Sequence, residues 1–170
     1  MRRIILLFAM MISAAFVAVA QNSNMEIVFN FDKCEYFVSS TGHHEVESVF
    51  YQNQPQGFDK FWEKRKAELC GVFQNAANQS ANGKYLFGGY INSPYYVVVN
   101  VQQLDPDGEL ECVVKVLRRA AEGEYEPTIA EYEIGANGGK SQLYDNISSE
   151  GFRKAGFKFG KQMLKYRPVR

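Results

Sequence analysis

The chain has 170 residues, 19 basic and 19 acidic side chains, a formal net charge of zero, and 46% apolar residues. That length makes one ordinary domain with room for a sizeable core. The charge balance argues against a nucleic-acid binder, whose phosphate contacts call for a concentrated basic surface.

Residues 1–20 read as a targeting segment. Arg2 and Arg3 form a basic start, Ile4 to Val19 is an apolar run, and Ala18-Val19-Ala20 is a small-residue cleavage site before Gln21. The run is shorter than the ~20 apolar residues of a spanning helix. The expectation is therefore a signal peptide cut between Ala20 and Gln21, then a single domain over 21–170 with no membrane span, periplasmic or secreted. No cysteine follows the run before Cys34, so no acceptor for lipid is present there. Cleavage removes two cations and leaves a net charge of about −2.

Three cysteines in an exported chain allow at most one bridge. Cys34 and Cys70 are the pair to test, because Cys112 shares a strand face with Leu110, Val114 and Val116 and reads as a buried hydrophobe. There is no C-x-x-C, and the two histidines are the neighbours His43 and His44, so no metal site and no cofactor are expected.

"MEIVFNF" (25–31) alternates with Met25, Ile27, Phe29 and Phe31 on one side, a strand pattern. Residues 39–57 lose periodicity and read as a long loop with a short strand at Glu47 to Tyr51. From Phe58 the period becomes helical. Phe58, Phe61, Trp62, Leu69, Val72, Phe73 and Ala76 form one stripe over 58–79, and Lys60, Glu63, Lys64, Lys66 and Glu68 fall opposite. Asn82-Gly83 stops the helix, and Gly88-Gly89 interrupts a following strand.

"NSPYYVVVNVQQLDPDGELECVVKVL" (92–117) is a hairpin, with Asp105-Pro106-Asp107-Gly108 suited to a type I turn. A one-residue slip would turn every side chain over. The register pairing Val101 with Cys112, Val99 with Val114 and Val97 with Val116 gives a wholly apolar face, which must be core. The other face then carries Tyr96 beside Leu117, Val98 beside Lys115, Asn100 beside Val113, and Gln102 beside Glu111. A third strand, "TIAEYEI" (128–134), offers Thr128, Ala130, Tyr132 and Ile134 to either face.

"GANGGKSQLYDN" (135–146) is rich in glycine but misses the phosphate-binding G-x-x-x-x-G-K-[ST], since position 134 is Ile. It reads as a flexible loop. The last helix, Ser148 to Lys165, turns Phe152, Ala155, Gly156, Phe159, Gly160 and Met163 inward. Each of those glycines costs roughly 1 kcal/mol against alanine, and close approach to a sheet is the usual offset.

The C-terminal phrase "IAEYEIGANGGKSQLYDNISSEGFRKAGFKFGKQMLK", following an alternating strand and a signal peptide, resembles small secreted domains of unknown function from Bacteroidetes-type bacteria. More loosely it is similar to periplasmic domains of the curli-secretion-lipoprotein type, without their acylated cysteine. The resemblance implies a bacterial envelope setting and an α/β sandwich, and brings no functional residue with it.

The architecture expected is α+β: a two-layer sandwich with a mainly antiparallel sheet of four to five strands and two main helices on one face. The first functional reading is an exported non-catalytic binding or assembly module. Its partner, an envelope protein or small molecule, would meet the mixed sheet face at Tyr96, Val98, Val113, Leu117 and Tyr132. The alternative is a carrier of a small hydrophobic ligand in a cavity lined by Phe58, Phe61, Trp62, Phe73, Phe152 and Phe159. A hydrolase comes third, because no G-x-S-x-G, thiolate setting or isolated carboxylate pair supports one.

Overall fold

The strand β5 (Tyr95–Leu104) is the spine of the sheet. The computed structural model describes residues 24–120, 126–140 and 143–165. The expected signal peptide lies outside the described residues.

One long edge of β5 pairs antiparallel with β6 (Leu110–Arg118), which pairs antiparallel with β7 (Thr128–Ala136). On the other edge lie two strands end to end. β1 (Asn24–Asn30) runs parallel to the first half of β5, and β2 (Glu35–Val38) runs parallel to its end. β3 (His43–Val46) folds back on β2, and β4 (Leu86–Gly88) lies parallel to β1. Among the described residues the sheet thus has seven strands of mixed direction rather than four or five mainly antiparallel ones. The reason is the helix α2 (Phe58–Ser80), which lies between β1 and β4 in the chain. A long helical crossover returns the chain to the end where it started, so the next strand enters parallel.

The hairpin register holds for Val97, Val99 and Val101 against Val116, Val114 and Cys112, all buried. It breaks at Gln102, where a bulge sets Gln103, not Gln102, opposite Glu111. β7 contributes Ile134, Tyr132 and Ala130 to the same buried side, opposite Cys112, Val114 and Val116.

α2 and α3 (Glu150–Lys165) cover that side. Phe29 meets Phe73 edge-on at 5.4 Å, Phe87 lies 5.1 Å from Phe159, and Tyr132 lies 6.0 Å from Phe159. The α3 stripe is the expected one. The α2 stripe is rotated: it runs through Phe58, Trp62, Lys66, Leu69, Phe73 and Ala77, while Phe61 is 42% exposed. These residues recur every three to four positions, which carries Lys66 inward. Its ammonium is accommodated by Glu47 at 3.2 Å, Glu63 at 2.5 Å and the Phe31 ring at 5.4 Å.

Glu47 itself begins α1 (Glu47–Gln52), a short helix where the sequence suggested a strand. Phe50 decides the matter. It is fully buried, stacked 4.5 Å from Tyr36, with Phe58, Trp62 and Tyr144 around it.

Gly156 and Gly160 do not face the sheet. A Cβ at 156 would sit 2.1 Å from the Phe73 carbonyl oxygen, and one at 160 would sit 2.3 Å from that of Ala77. The G-x-x-x-G of α3 therefore lets two helix backbones touch, the device familiar from lipid-embedded pairs.

Candidate binding face

Among the described residues no helix covers the opposite side of the sheet. Glu26, Val28 and Asn30 of β1 align with Tyr96, Val98 and Asn100 of β5, which align with Leu117, Lys115 and Val113 of β6. Val98, Val113 and Leu117 are half-buried, and Val28 is 43% exposed at the centre. Ile129, 36% exposed, continues the apolar row on β7.

Charges of both signs ring this patch. Lys115 pairs with Glu131 at 3.3 Å, and Arg119 pairs with Glu26. The Arg119 guanidinium also lies 5.1 Å over the Tyr96 ring, and the Tyr96 hydroxyl donates to Glu126. Loss of water around the phenol, then the Glu126 carboxylate, push its pKa up to about 12. Tyr96 is thus held in place from both ends. Further along the face, around the Gln102 bulge, lies a depression of about 420 Å³ lined by Asn30, Lys33, Asn100, Gln102, Val113 and Lys115, among others.

Four of the five expected face residues, Tyr96, Val98, Val113 and Leu117, lie together here. Tyr132 does not: it stands opposite Val114, beneath α3, because odd and even residues of β7 alternate between the two sides. Val28, Ile129, Glu26, Arg119 and Glu126 belong to the face and escaped the sequence reading. The alternation of "MEIVFNF" already turned Val28 away from the core, but the parallel register with β5 has no local signature.

The carrier residues are placed differently. Trp62, Phe73, Phe152 and Phe159 have no solvent-accessible surface and Phe58 has 8%; they pack on one another and on the sheet. Phe73 and Phe159 stack at 6.1 Å, Phe58 and Trp62 at 5.9 Å. Zero accessible surface leaves no water-sized space beside those four rings, and Phe61 points out of the layer they fill.

His44 faces Asp105 with Nε2 and Oδ1 2.6 Å apart, while His43 is exposed. Among the described residues no group of three His, Cys, Asp or Glu side chains is placed to hold a metal ion. The glycine-rich loop is not an open anion cradle. A Cβ at Gly138 would fall 2.3 Å from the Asp107 carbonyl oxygen, and the Gly139 amide donates to that same oxygen at 2.6 Å. These glycines let the loop lie against the Asp105–Gly108 turn.

Cys34, Cys70 and Cys112 are free thiols, and burial pushes each up to about 12. A thiol whose folded pKa is raised contributes stability that is whole below its unfolded value of 9.0 and declines as pH rises toward 12. Native protein at pH 8 should therefore leave Cys34 and Cys112 unalkylated by iodoacetamide, with the half-buried Cys70 modified slowly. Full labelling of all three within the time that unfolded chain needs would contradict this burial.

Fold and face together define a mixed α/β domain with one layer of helices and one bare sheet face. No protein-family model matches the chain, and neither does any curated protein. Among solved structures it is similar to the PelC dodecamer from Paraburkholderia phytofirmans, at 9% identity over 83% of this chain and 88% of that one, with a TM-score of 0.37. It is also similar to a DUF330 protein from Xanthomonas campestris, at 12% identity over 84% and 81%, with a TM-score of 0.39. Among the described residues no helix is long and apolar enough to cross a membrane.

Proposed function

We propose that the protein is an exported, non-catalytic binding or assembly module of the bacterial cell envelope, and that a protein partner meets its uncovered sheet face. One observation carries this reading: the sheet is roofed on a single side, and the bare side presents Val28, Val98, Val113, Leu117 and Tyr96 as one patch inside a ring of ion pairs. An apolar centre with a charged rim is the anatomy of a protein interface. The rim is of mixed sign, which suits a protein surface better than a polyanion or a lipid headgroup layer.

The experiment is native mass spectrometry of the chain purified from its own envelope fraction, beside the variant Tyr96→Ala/Leu117→Ala. The wild type should appear in a complex, and the variant should appear as a free chain with an unchanged melting temperature. A complex that survives the double substitution refutes the face. A wild-type chain that is always alone, or that retains a small-molecule mass, refutes the module.

A further inference from the structure

The edges of this sheet are treated unequally. β3 and β4 are short, with four and three residues, and β4 is sealed as well. The Asn78 side chain of α2 donates to the Phe87 carbonyl at 3.0 Å and accepts from the Phe87 amide at 2.7 Å, taking both positions another strand would use. Short or plugged edges are how proteins prevent stray strand pairing. β7 has nine residues.

The direction of its free backbone groups follows from the hairpin. Asp105 donates its amide to the Glu109 carbonyl, so the 105/109 pair is hydrogen-bonded. Alternation then turns the Glu111 backbone toward β5 and leaves the Glu111/Gly135 pair unbonded. Hence Glu131, Glu133 and Gly135, which lie on the near side of the bulge at Leu117, point their N–H and C=O groups away from the sheet. Among the described residues only the last is covered: Lys158 donates to the Gly135 carbonyl at 2.5 Å.

Alongside this edge runs a groove of about 410 Å³ between β7 and α3, lined by Glu133, Gly135, Lys158, Lys161, Gln162 and Lys165, with Ile134. Among the described residues none of the three lysines has a carboxylate within ion-pair distance. They recur at i, i+3 and i+7, stepping ~4.5 and ~6 Å along the helix. Alternate residues of an extended chain step ~7 Å. Two-fold pairings of β7 with a second copy that centre on Glu131 to Glu133 would set these glutamates against each other or themselves, which disfavours those registers.

We infer that the β7 edge accepts an extended segment of a partner polypeptide as an eighth strand, with acidic side chains at every second position facing Lys161 and Lys165. Backbone pairing supplies affinity and the lysine row selects the sequence. This surface borders the bare sheet face and shares Glu131 with its rim, so the lysine reversal, which touches α3 alone, is what tells the two apart.

The probe is a fluorescein-labelled decapeptide alternating Glu and Thr, titrated into the full chain by anisotropy, with amide hydrogen exchange measured on the same complex. Binding should saturate and should slow exchange at Glu131 and Glu133. Lys161→Glu/Lys165→Glu, on the exposed helix surface, should weaken it about tenfold, the size expected when two exposed ion pairs turn repulsive. Glu131→Pro, which deletes one outward amide, should weaken it as much; if that variant melts early, exchange on the wild type decides. No saturable binding, binding indifferent to the lysine reversal, or binding that leaves Glu131 and Glu133 unprotected would each overturn strand addition. The last outcome would reduce it to simple anion contact, and dimerisation of the free chain through β7 would replace it with a second copy.

Discussion

Gly156→Ala should destabilise the protein by about 2–3 kcal/mol in urea or thermal unfolding, the upper part of the usual range of about 1–3 kcal/mol for overpacking. In an exposed helix interior the same exchange stabilises by about 1 kcal/mol. The sign reverses because the new methyl carbon would sit 2.1 Å from the Phe73 carbonyl oxygen, which is backbone and cannot swing aside. α3 must then lift off α2, and the Phe73–Phe159 stack opens with it. Wild-type stability in the variant would mean that the two helices part freely.

Phe159→Ala should cost more, about 3–5 kcal/mol, as for a large ring deleted from a core. This ring has no accessible surface and touches three other elements, through Phe73, Phe87 and Tyr132. A domain of this size has a total stability of about 5–15 kcal/mol, so much of it would go. Phe61→Ala is the control. At 42% exposure it should change stability by less than about 0.5 kcal/mol. Equal losses from the two would deny that α2 faces as described.

Phe61 and Lys66 also show where the sequence stops being informative. Hydropathy alone assigned Phe61 inward and Lys66 outward. The helical phase and two carboxylates override it, and one of those carboxylates, Glu47, comes from a segment that reads as a short strand within a loop. The hairpin core and the α3 stripe were legible because local alternation and local period determine them. Four residues of the bare face were legible for the same reason: a strand with one core side must show its other residues elsewhere. What was not legible is long-range. Nothing local says that β1 enters parallel between β4 and β5, bringing Val28 and Glu26 to Tyr96 and Val98. Gly156 and Gly160 signalled a close approach, but spacing cannot say whether a sheet or a helix approaches. Tyr132 was open between two sides until its register with β6 fixed one.

The parallel placement of β1 also sets an order in time. β5, β6 and β7 follow one another along the chain and pair with their neighbours, so their contacts are cheap in loop entropy and form early. β1 is synthesised before all of them, yet Met25 must wait for Phe87 and Ile27 for Val97. Meanwhile it is a complete alternating strand with nothing to pair with. β1 therefore cannot pair in the sheet until residues 86–100 have followed it, and during that interval its row of Met25, Ile27 and Phe29 is exposed apolar surface on the nascent chain.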